Sequence, residues 1–234
     1  MDNYTMRKAL LSFFEQSVTP ARIEKIKKLL ELRTRSLVLV VEDVFQTHNA
    51  SAIMRSCDAF GVQDIHCIID RNATFENKNS VSVGAAQWLS IYHYRKSTAL
   101  PNPMTSCVTE LKKRGYTIVA TSPHATKTLE TLTFDSPIAL MLGTEDKGLS
   151  QEALSLADDT IVLPMFGFTE SLNVSVCAAV CLYELTKRLR ASSMAWKLSC
   201  EEKEALYYEW IRQSIDRVEE KERGFLQRLR KEFS

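Results

Sequence analysis

No run in this chain is apolar for long enough to cross a bilayer, and the opening residues MDNYTMRKALLSFFEQ contain Glu15 and lack a small-residue cleavage site. Neither a membrane span nor a secretory leader is expected, and the chain reads as cytosolic. It also lacks a CxxC pair. Its six cysteines, Cys57, Cys67, Cys107, Cys177, Cys181 and Cys200, are scattered through apolar stretches without the spacing of zinc ligands, which argues against a metal site and for reduced residues of the core. Cys177 and Cys181 stand one helical turn apart beside Ala178 and Ala179, a spacing that suits helix packing. Glycine is scarce, seven in all, and none falls in the dinucleotide-binding fingerprint or the phosphate-binding P-loop. There is no internal repeat and no low-complexity linker.

What remains is a chain of 234 residues, 45% hydrophobic and 25% charged, enough to bury a real core as one domain with additions or as two small domains. The formal net charge of +1 hides an uneven distribution: residues 1–36 carry +4, residues 187–234 carry +3, and the centre carries −6. Basic ends around an acidic middle suit a polyanion approached from the edges, although a solvated helix face explains such an excess equally well.

The first thirty-odd residues read as helix: MRKALLSFFEQ and then, after the start signal of Thr19 and Pro20, ARIEKIKKLLELR with Ile23, Ile26, Leu29 and Leu30 on one face. From there the chain alternates. Strands are expected at SLVLVVE, DIHCIID, YTIVAT, PIALMLG and DTIVLPM. Helices are expected at NASAIMRSCDAFG, closed by Gly61, at MTSCVTELKKRG, closed by Gly115, at SQEALSLA and at SLNVSVCAAVCLYELTKRLR. Short apolar strands alternating with helices of this length predict an α/β fold, a parallel sheet with helices on both faces. After Ala191 the strand signal stops, leaving a charged helical extension whose Trp210, Ile211 and Ile215 need a surface to dock on. The expected organisation is a helical extension over 1–36, an α/β domain over 37–191 and a second helical extension over 192–234.

Open parallel sheets bind ligands at the carboxyl ends of their strands, so the loops leaving those ends carry the functional information. In EDVFQTHNASAIMR, Asn49 is expected to cap the helix that follows the first strand, with Arg55 six positions on. A capped helix with a surface arginine is the plain reading of that loop alone. In LMLGTEDKGLS, Gly143 ends a strand and the loop holds Glu145 and Gly148; glycine lacks the Cβ that would keep a ligand off the backbone, and a simple turn would use it too. In PMFGFTESLNVSVCAAVCLYE, Pro164 stops a strand, Gly167 lets the chain turn, and Ser171 is expected to cap a long helix whose free N–H groups face the crevice. One cap is enough for a first turn, and Asn173 and Ser175 add two further short polar side chains.

Taken together, NASAIMRSCDAFG, IALMLGTEDKGLS and IVLPMFGFTESLNVSVCAA resemble the three motifs of the SpoU branch of the SPOUT RNA methyltransferases, in order and spacing over residues 37–190. The resemblance implies an α/β domain tied in a deep trefoil knot, S-adenosylmethionine bound in the knot, and a homodimer whose sites adjoin the subunit interface. It carries catalytic roles onto Asn49 and Arg55, the motif-two glutamate onto Glu145, and the motif-three serine and asparagine onto Ser171 and Asn173. The adenosine of the methyl donor would rest on backbone around Thr121, Gly143, Ile161, Met165 and Leu172. The ribosomal-RNA enzymes of the family usually carry an extra N-terminal RNA-binding domain, whereas here only two short helices precede the core. Those helices, with VGAAQWLSIYHY and IVATSPH, point to the tRNA enzymes, which implies tRNA as partner and 2′-O-methylation of guanosine 18 in the D-loop. Ribosomal RNA, another tRNA nucleotide, or RNA binding without catalysis stay open as alternatives.

Methyl transfer to a 2′-hydroxyl requires the oxygen in line behind the sulfonium methyl and the loss of its proton. A guanidinium, with a pKa above about 12, is an uncommon base. Arg55 therefore has two possible roles, a base once desolvated or a cation that clamps the adjacent phosphate and steadies the developing oxyanion. Asn49 would orient Arg55 or the ribose, Ser171 and Asn173 would bind substrate or donor, and Glu145 would hold the motif-two loop. A sulfonium already carries a good leaving group, so no metal is expected. The basic residues Arg7, Lys8, Arg22, Lys25, Arg33 and Arg35, with Arg188, Arg190, Arg228 and Arg230, are candidates for phosphate contacts, which would make binding salt dependent without reading sequence.

Overall fold

The computed structural model describes residues 3–44, 46–70, 83–144 and 146–232. Two compact units emerge: a central one, Arg33–Lys197, and a second one built from both chain ends, Met1–Leu32 with Leu198–Ser234.

The central unit is a seven-stranded sheet in the order β3-β2-β1-β6-β4-β7-β5, with every pairing parallel. Its strands are β1 (Leu37–Glu42), β2 (Asp64–Ile69), β3 (Ser90–Arg95), β4 (Thr117–Thr121), β5 (Lys127–Thr128), β6 (Ile138–Leu142) and β7 (Asp159–Val162). Helix α3 (Thr47–Phe60) follows β1, the short α4 (Val83–Ala86) precedes β3, and α5 (Pro103–Lys113) precedes β4. Helices α6 (Gln151–Leu156) and α7 (Val174–Ala191) flank β7 in sequence. Successive residues of a strand point to opposite faces, and here both faces are covered. Leu37, Leu39 and Val41 of β1 join Ile53 and Met54 of α3 and Leu182 and Leu185 of α7 on one side. Val38 and Val40 join Cys107, Val108 and Leu111 of α5 on the other. Two covered faces explain the unbroken apolar runs of the interior strands. Each fully buried Leu or Ile contributes on the order of 2 kcal/mol through water released from its surface.

Two strands, β3 and β5, stand outside the five expected from the sequence, and they are the two edges of the sheet. An edge strand is open to solvent along one side and needs no continuous apolar run. SIYHYR is accordingly half-exposed, and β5 is only two residues long. Helix ends follow backbone chemistry more closely. Gly61 (φ 77°) and Gly115 (φ 85°) take the left-handed conformation that ends α3 and follows α5.

In the second unit, α1 (Asn3–Glu15) and α2 (Pro20–Leu30) pack with α8 (Cys200–Gln213), and α9 (Val218–Glu232) completes the set. Thr19 caps α2 ahead of Pro20, and α8 starts with a capping box in which Ser199 and Glu202 satisfy each other's backbone donors. Phe14, Ile26 and Leu30 from one chain end and Leu206, Trp210, Ile211 and Ile215 from the other are buried, so the three docking residues expected from the sequence find their apolar surface here. Lys203 pairs with Glu31 at 2.8 Å and the Tyr207 hydroxyl donates to Glu15 at 2.5 Å. Cys200 corrects the expectation for the cysteines: it is exposed at the first turn of α8, while Cys57, Cys67, Cys107 and Cys181 are buried. Among the described residues, no helix is long and apolar enough to cross a membrane.

Residues 33–35 belong to the central unit through specific bonds. Arg33 is 3% exposed and pairs with Asp58, Thr34 donates its hydroxyl to the Trp196 carbonyl at 2.7 Å, and Arg35 pairs with Asp64 at 3.0 Å. At the other end of the unit Arg188 donates to the carbonyls of Leu129 and Leu132, and Arg190 donates to that of Phe60 at 2.7 Å. Four of the arginines expected to meet phosphate are thus engaged within the fold, and of these Arg33 is buried.

His66 of β2 is 1% exposed, stacks on Tyr92 with centroids 4.7 Å apart and shares a 3.3 Å hydrogen bond with the Tyr94 hydroxyl. Burial first, and the nearby Arg114 second, push its pKa from 6.5 down to about 4. The unfolded chain therefore binds the extra proton between those values. The corresponding stability is fully present above the unfolded pKa and is lost as pH falls toward 4, by about 3 kcal/mol over the whole window. Urea unfolding should show a lower midpoint at pH 5 than at pH 7.5, and His66→Phe should flatten part of that difference. An identical pH dependence in the variant would show that other groups carry it.

Candidate functional site

Three neighbouring strands, β6, β4 and β7, and the adjacent β1 end side by side, and the three motif loops leave from their carboxyl ends. Helix α3 begins at Thr47, with Gln46 as its N-cap residue, so Asn49 is not the cap expected from the sequence. It lies inside the first turn and is buried. Likewise α7 begins at Val174 and is capped by Asn173, whereas Ser171 lies two residues upstream in the exposed loop.

The two asparagines meet. Asn173 Nδ2 donates to Asn49 Oδ1 at 3.1 Å, and Asn49 Nδ2 donates to Gln46 Oε1 at 3.0 Å. Asn173 Oδ1 in turn accepts from the Ser175 backbone N–H at 2.9 Å and from the Ser175 hydroxyl at 2.6 Å. A backbone N–H can only donate, so it fixes which end of the Asn173 amide faces the helix. That choice turns the Asn173 NH2 group toward Asn49, and the Asn49 NH2 group toward Gln46. A single capping bond thus sets the polarity of three side-chain amides across motif one and motif three. The packing of α3 against α7 brings them into register.

Arg55 sits six residues after Asn49 on α3 and is exposed. Six residues turn a helix by about 600°, so the two side chains leave it roughly 120° apart. Glu145 lies outside the described residues. Thr121 ends β4 and donates its hydroxyl to the Met141 carbonyl at 3.0 Å, and the Ile161 carbonyl accepts from the Ser122 N–H at 2.9 Å. Met165 is half-buried and Leu172 more open, in the segment between β7 and α7.

Gly143 has a reason for being glycine that differs from the expected one. A Cβ there would stand 2.0 Å from the Gly148 carbonyl carbon and 2.1 Å from the Leu149 nitrogen. The space belongs to the chain's own loop, which folds back so that Thr144 and Gly148 exchange backbone bonds of 3.0 and 3.1 Å, with Gly148 at φ 65°. Gly143 thus offers a ligand its backbone only. The loop is moored from β1 as well: Ser150 caps α6 with its hydroxyl, and its own N–H donates to Glu42 Oε2 at 2.8 Å. Next to Glu42, Asp43 takes a left-handed φ of 48° and accepts the Asp70 N–H at 2.8 Å. Sequence reasoning missed Gln46, Glu42 and Asp43. A carboxylate ending the otherwise apolar strand LVLVVE was the available signal.

These features have counterparts among known proteins. The family model described as SpoU rRNA Methylase family matches residues 36–183. A tRNA (guanosine(18)-2'-O)-methyltransferase of Borreliella burgdorferi is 39% identical over 215 residues, 92% of this chain and 94% of that protein. The crystal structure of the A. aeolicus TrmH/SpoU tRNA modifying enzyme is similar with a TM-score of 0.70 at 28% identity, covering 84% of this chain and 98% of that one. The SpoU methyltransferase AviRb from Streptomyces viridochromogenes, in complex with the cofactor AdoMet, is similar with a TM-score of 0.58 at 25% identity, over 71% of this chain and 62% of that one. With the family model spanning β1 through most of α7, and with all the strands of the sheet inside it, this chain belongs to the SpoU methylase family.

Proposed function

We propose that this chain methylates the ribose 2′-oxygen of guanosine 18 in the D-loop of tRNA, with S-adenosylmethionine as donor. The observation that carries the reading is the Asn49–Asn173 bond. It joins motif one to motif three in a chain 39% identical, over 92% of its length, to an enzyme named for that reaction.

The residues present fit the donor. The backbone at Thr121, at Gly143 and between Ile161 and Met165 comes together at one sheet edge, and Met165 and Leu172 supply apolar surface for an adenine. When bound, S-adenosylmethionine supplies an electrophilic methyl: the S–CH3 bond breaks as the O2′–CH3 bond forms, the sulfonium pair stays on sulfur, and the hydroxyl proton leaves. In this reading the ordered amides of Asn49 and Asn173 aim donors at the ribose, Ser171 adds a hydroxyl, and Glu145 steadies the motif-two loop. Arg55, once desolvated into its neutral form, accepts the proton, or it stays charged and holds the neighbouring phosphate and the developing oxyanion while the proton passes to water.

The strand order supports the knotted arrangement of the family, because β6 and β7 enter on either side of β4, a strand laid down before them. A homodimer is supported by a stripe on α7, where Val176, Val180 and Tyr183 stand about a turn apart and exposed, and by the exposed Phe166 and Phe168 of the loop that precedes this helix. Each site would then be completed beside the partner subunit. The helical unit would contact tRNA, and the work would be done in the cytoplasm.

The decisive substrate is a tRNA carrying a single 2′-deoxyguanosine at position 18. Labelled-methyl incorporation should vanish while binding, driven by phosphates, stays nearly unchanged. Undiminished methylation of that tRNA would move the acceptor elsewhere, and transfer to ribosomal RNA in a parallel assay would change the substrate class.

A further inference from the structure

Helices α1 and α9 meet through Phe13 and Phe225, whose rings stack with centroids 4.5 Å apart and planes 19° from parallel. Neither ring belongs to the buried core of the helical unit, which centres on Phe14, Leu206, Trp210 and Ile211. Both line an open groove of about 480 Å³, walled by Ala9, Ser12 and Phe13 of α1, by Gln16 just after it, and along α9 by Phe225, Arg228 and Leu229. The Arg228 guanidinium carbon lies 5.8 Å from the centroid of the Phe13 ring. Among the described residues Arg228 is the one charged member of the lining, and α1 carries Arg7 and Lys8 in the turn before Ala9. Three of the four carboxylates of α9, Glu219, Glu220 and Glu222, lie toward its other end, where Glu222 is engaged by Arg212 at 2.9 Å; the fourth, Glu232, ends the helix.

A stacked aromatic pair, a guanidinium beside it and two short hydrogen-bonding side chains match one kind of ligand closely. An unpaired nucleobase presents a flat π-face for the rings, polar edges for Ser12 and Gln16, and a neighbouring phosphate for Arg228. A paired helix hides its base faces, and an apolar peptide side chain would leave the cation without a counter-charge. We propose that this groove holds one unstacked base of the tRNA substrate, so that the helical unit grips a single-stranded element and adds to the attraction of phosphates. The proposal rests on tRNA being the substrate.

Phe225→Leu keeps apolar contact and removes the ring, and should weaken binding of an unmodified tRNA transcript about tenfold with no change in its salt slope. Arg228→Gln should lower that slope by about one. Phe225→Tyr should bind as the wild type does. In Phe13→Trp, indole emission should be quenched when the transcript is added, a readout that stands even if the leucine variant loses helicity. Affinity for S-adenosylmethionine, followed by calorimetry, should hold in every variant. Unaltered tRNA affinity in Phe225→Leu, absence of quenching at saturating tRNA, or a change in self-association instead of RNA affinity would each overturn the groove assignment. A wild-type chain that binds no tRNA would instead overturn the substrate reading on which it rests.

Discussion

Gly143→Ala should cost more than the same change at Gly84, Gly115, Gly148, Gly167 or Gly224, where an added Cβ would meet no atom closer than 4.0 Å. The new Cβ would meet backbone on three atoms, the nearest at 2.0 Å, and none of these can swing aside as a side-chain tip would. The loop from Thr144 to Leu149 would have to move by more than an ångström, breaking the paired bonds between Thr144 and Gly148 and pulling Ser150 from Glu42. Overpacking of this kind costs about 3 kcal/mol. For a loop proposed to position the donor, displacement on that scale should lower turnover about 100-fold. Gly148→Ala is the matched control. Its Cβ would have open space, with only the left-handed φ of 65° to strain it, at about 1 kcal/mol. Urea midpoints and methyl incorporation for the two variants give the comparison, and equal losses would mean that the close approach at Gly143 is not what the loop depends on.

Asn173→Asp should separate folding from catalysis. A carboxylate caps α7 at least as well as an amide, accepting from Ser175 N–H and hydroxyl and gaining from the positive helix terminus. It has no N–H for Asn49 Oδ1, and two oxygens would face each other across 3.1 Å beside a buried amide. The strain is relieved when Asn49 and Gln46 both turn over, which reverses every donor and acceptor that this line presents to a ribose. Turnover should fall about 100- to 1,000-fold, the range for losing a positioned donor, while thermal stability and donor affinity hold. Asn173→Ala, by contrast, should lose about 1 kcal/mol of cap stability along with activity. If Asn173→Asp methylates tRNA at the wild-type rate, Asn173 is a helix cap and nothing more.

The parts of the fold legible in the sequence were those with a covered environment on every side. The interior strands carry apolar runs because both faces are buried, and they were read directly. The edge strand SIYHYR alternates aromatic and polar residues, and Lys127–Thr128 has too few residues to show any period. Helix starts slipped for a chemical reason. Ser171, Asn173 and Ser175 are all good caps, and Gln46, a poor cap by type, holds the cap position while its side chain serves Asn49. The identities of the site asparagines were legible from their motifs. Their bond was not, since it spans 124 residues and depends on α3 lying against α7. Counting charge also could not reveal that Arg33 and Arg35 pair with Asp58 and Asp64, which lie 25 and 29 residues away in sequence.

The helical unit made of both chain ends has a consequence during synthesis. Phe14, Ile26 and Leu30 leave the ribosome first, but the residues that bury them, among them Leu206, Trp210 and Ile211, come only after the whole sheet has been translated. At about 5–20 residues per second that interval is on the order of ten to thirty seconds. For that time two amphipathic helices hang from the nascent chain with their apolar stripes in water, while the sheet behind them can fold. The surface proposed to grip tRNA is thus completed only after the sheet that carries the proposed methyl-transfer site, and a chain cut short before α8 would lack that surface however complete its sheet.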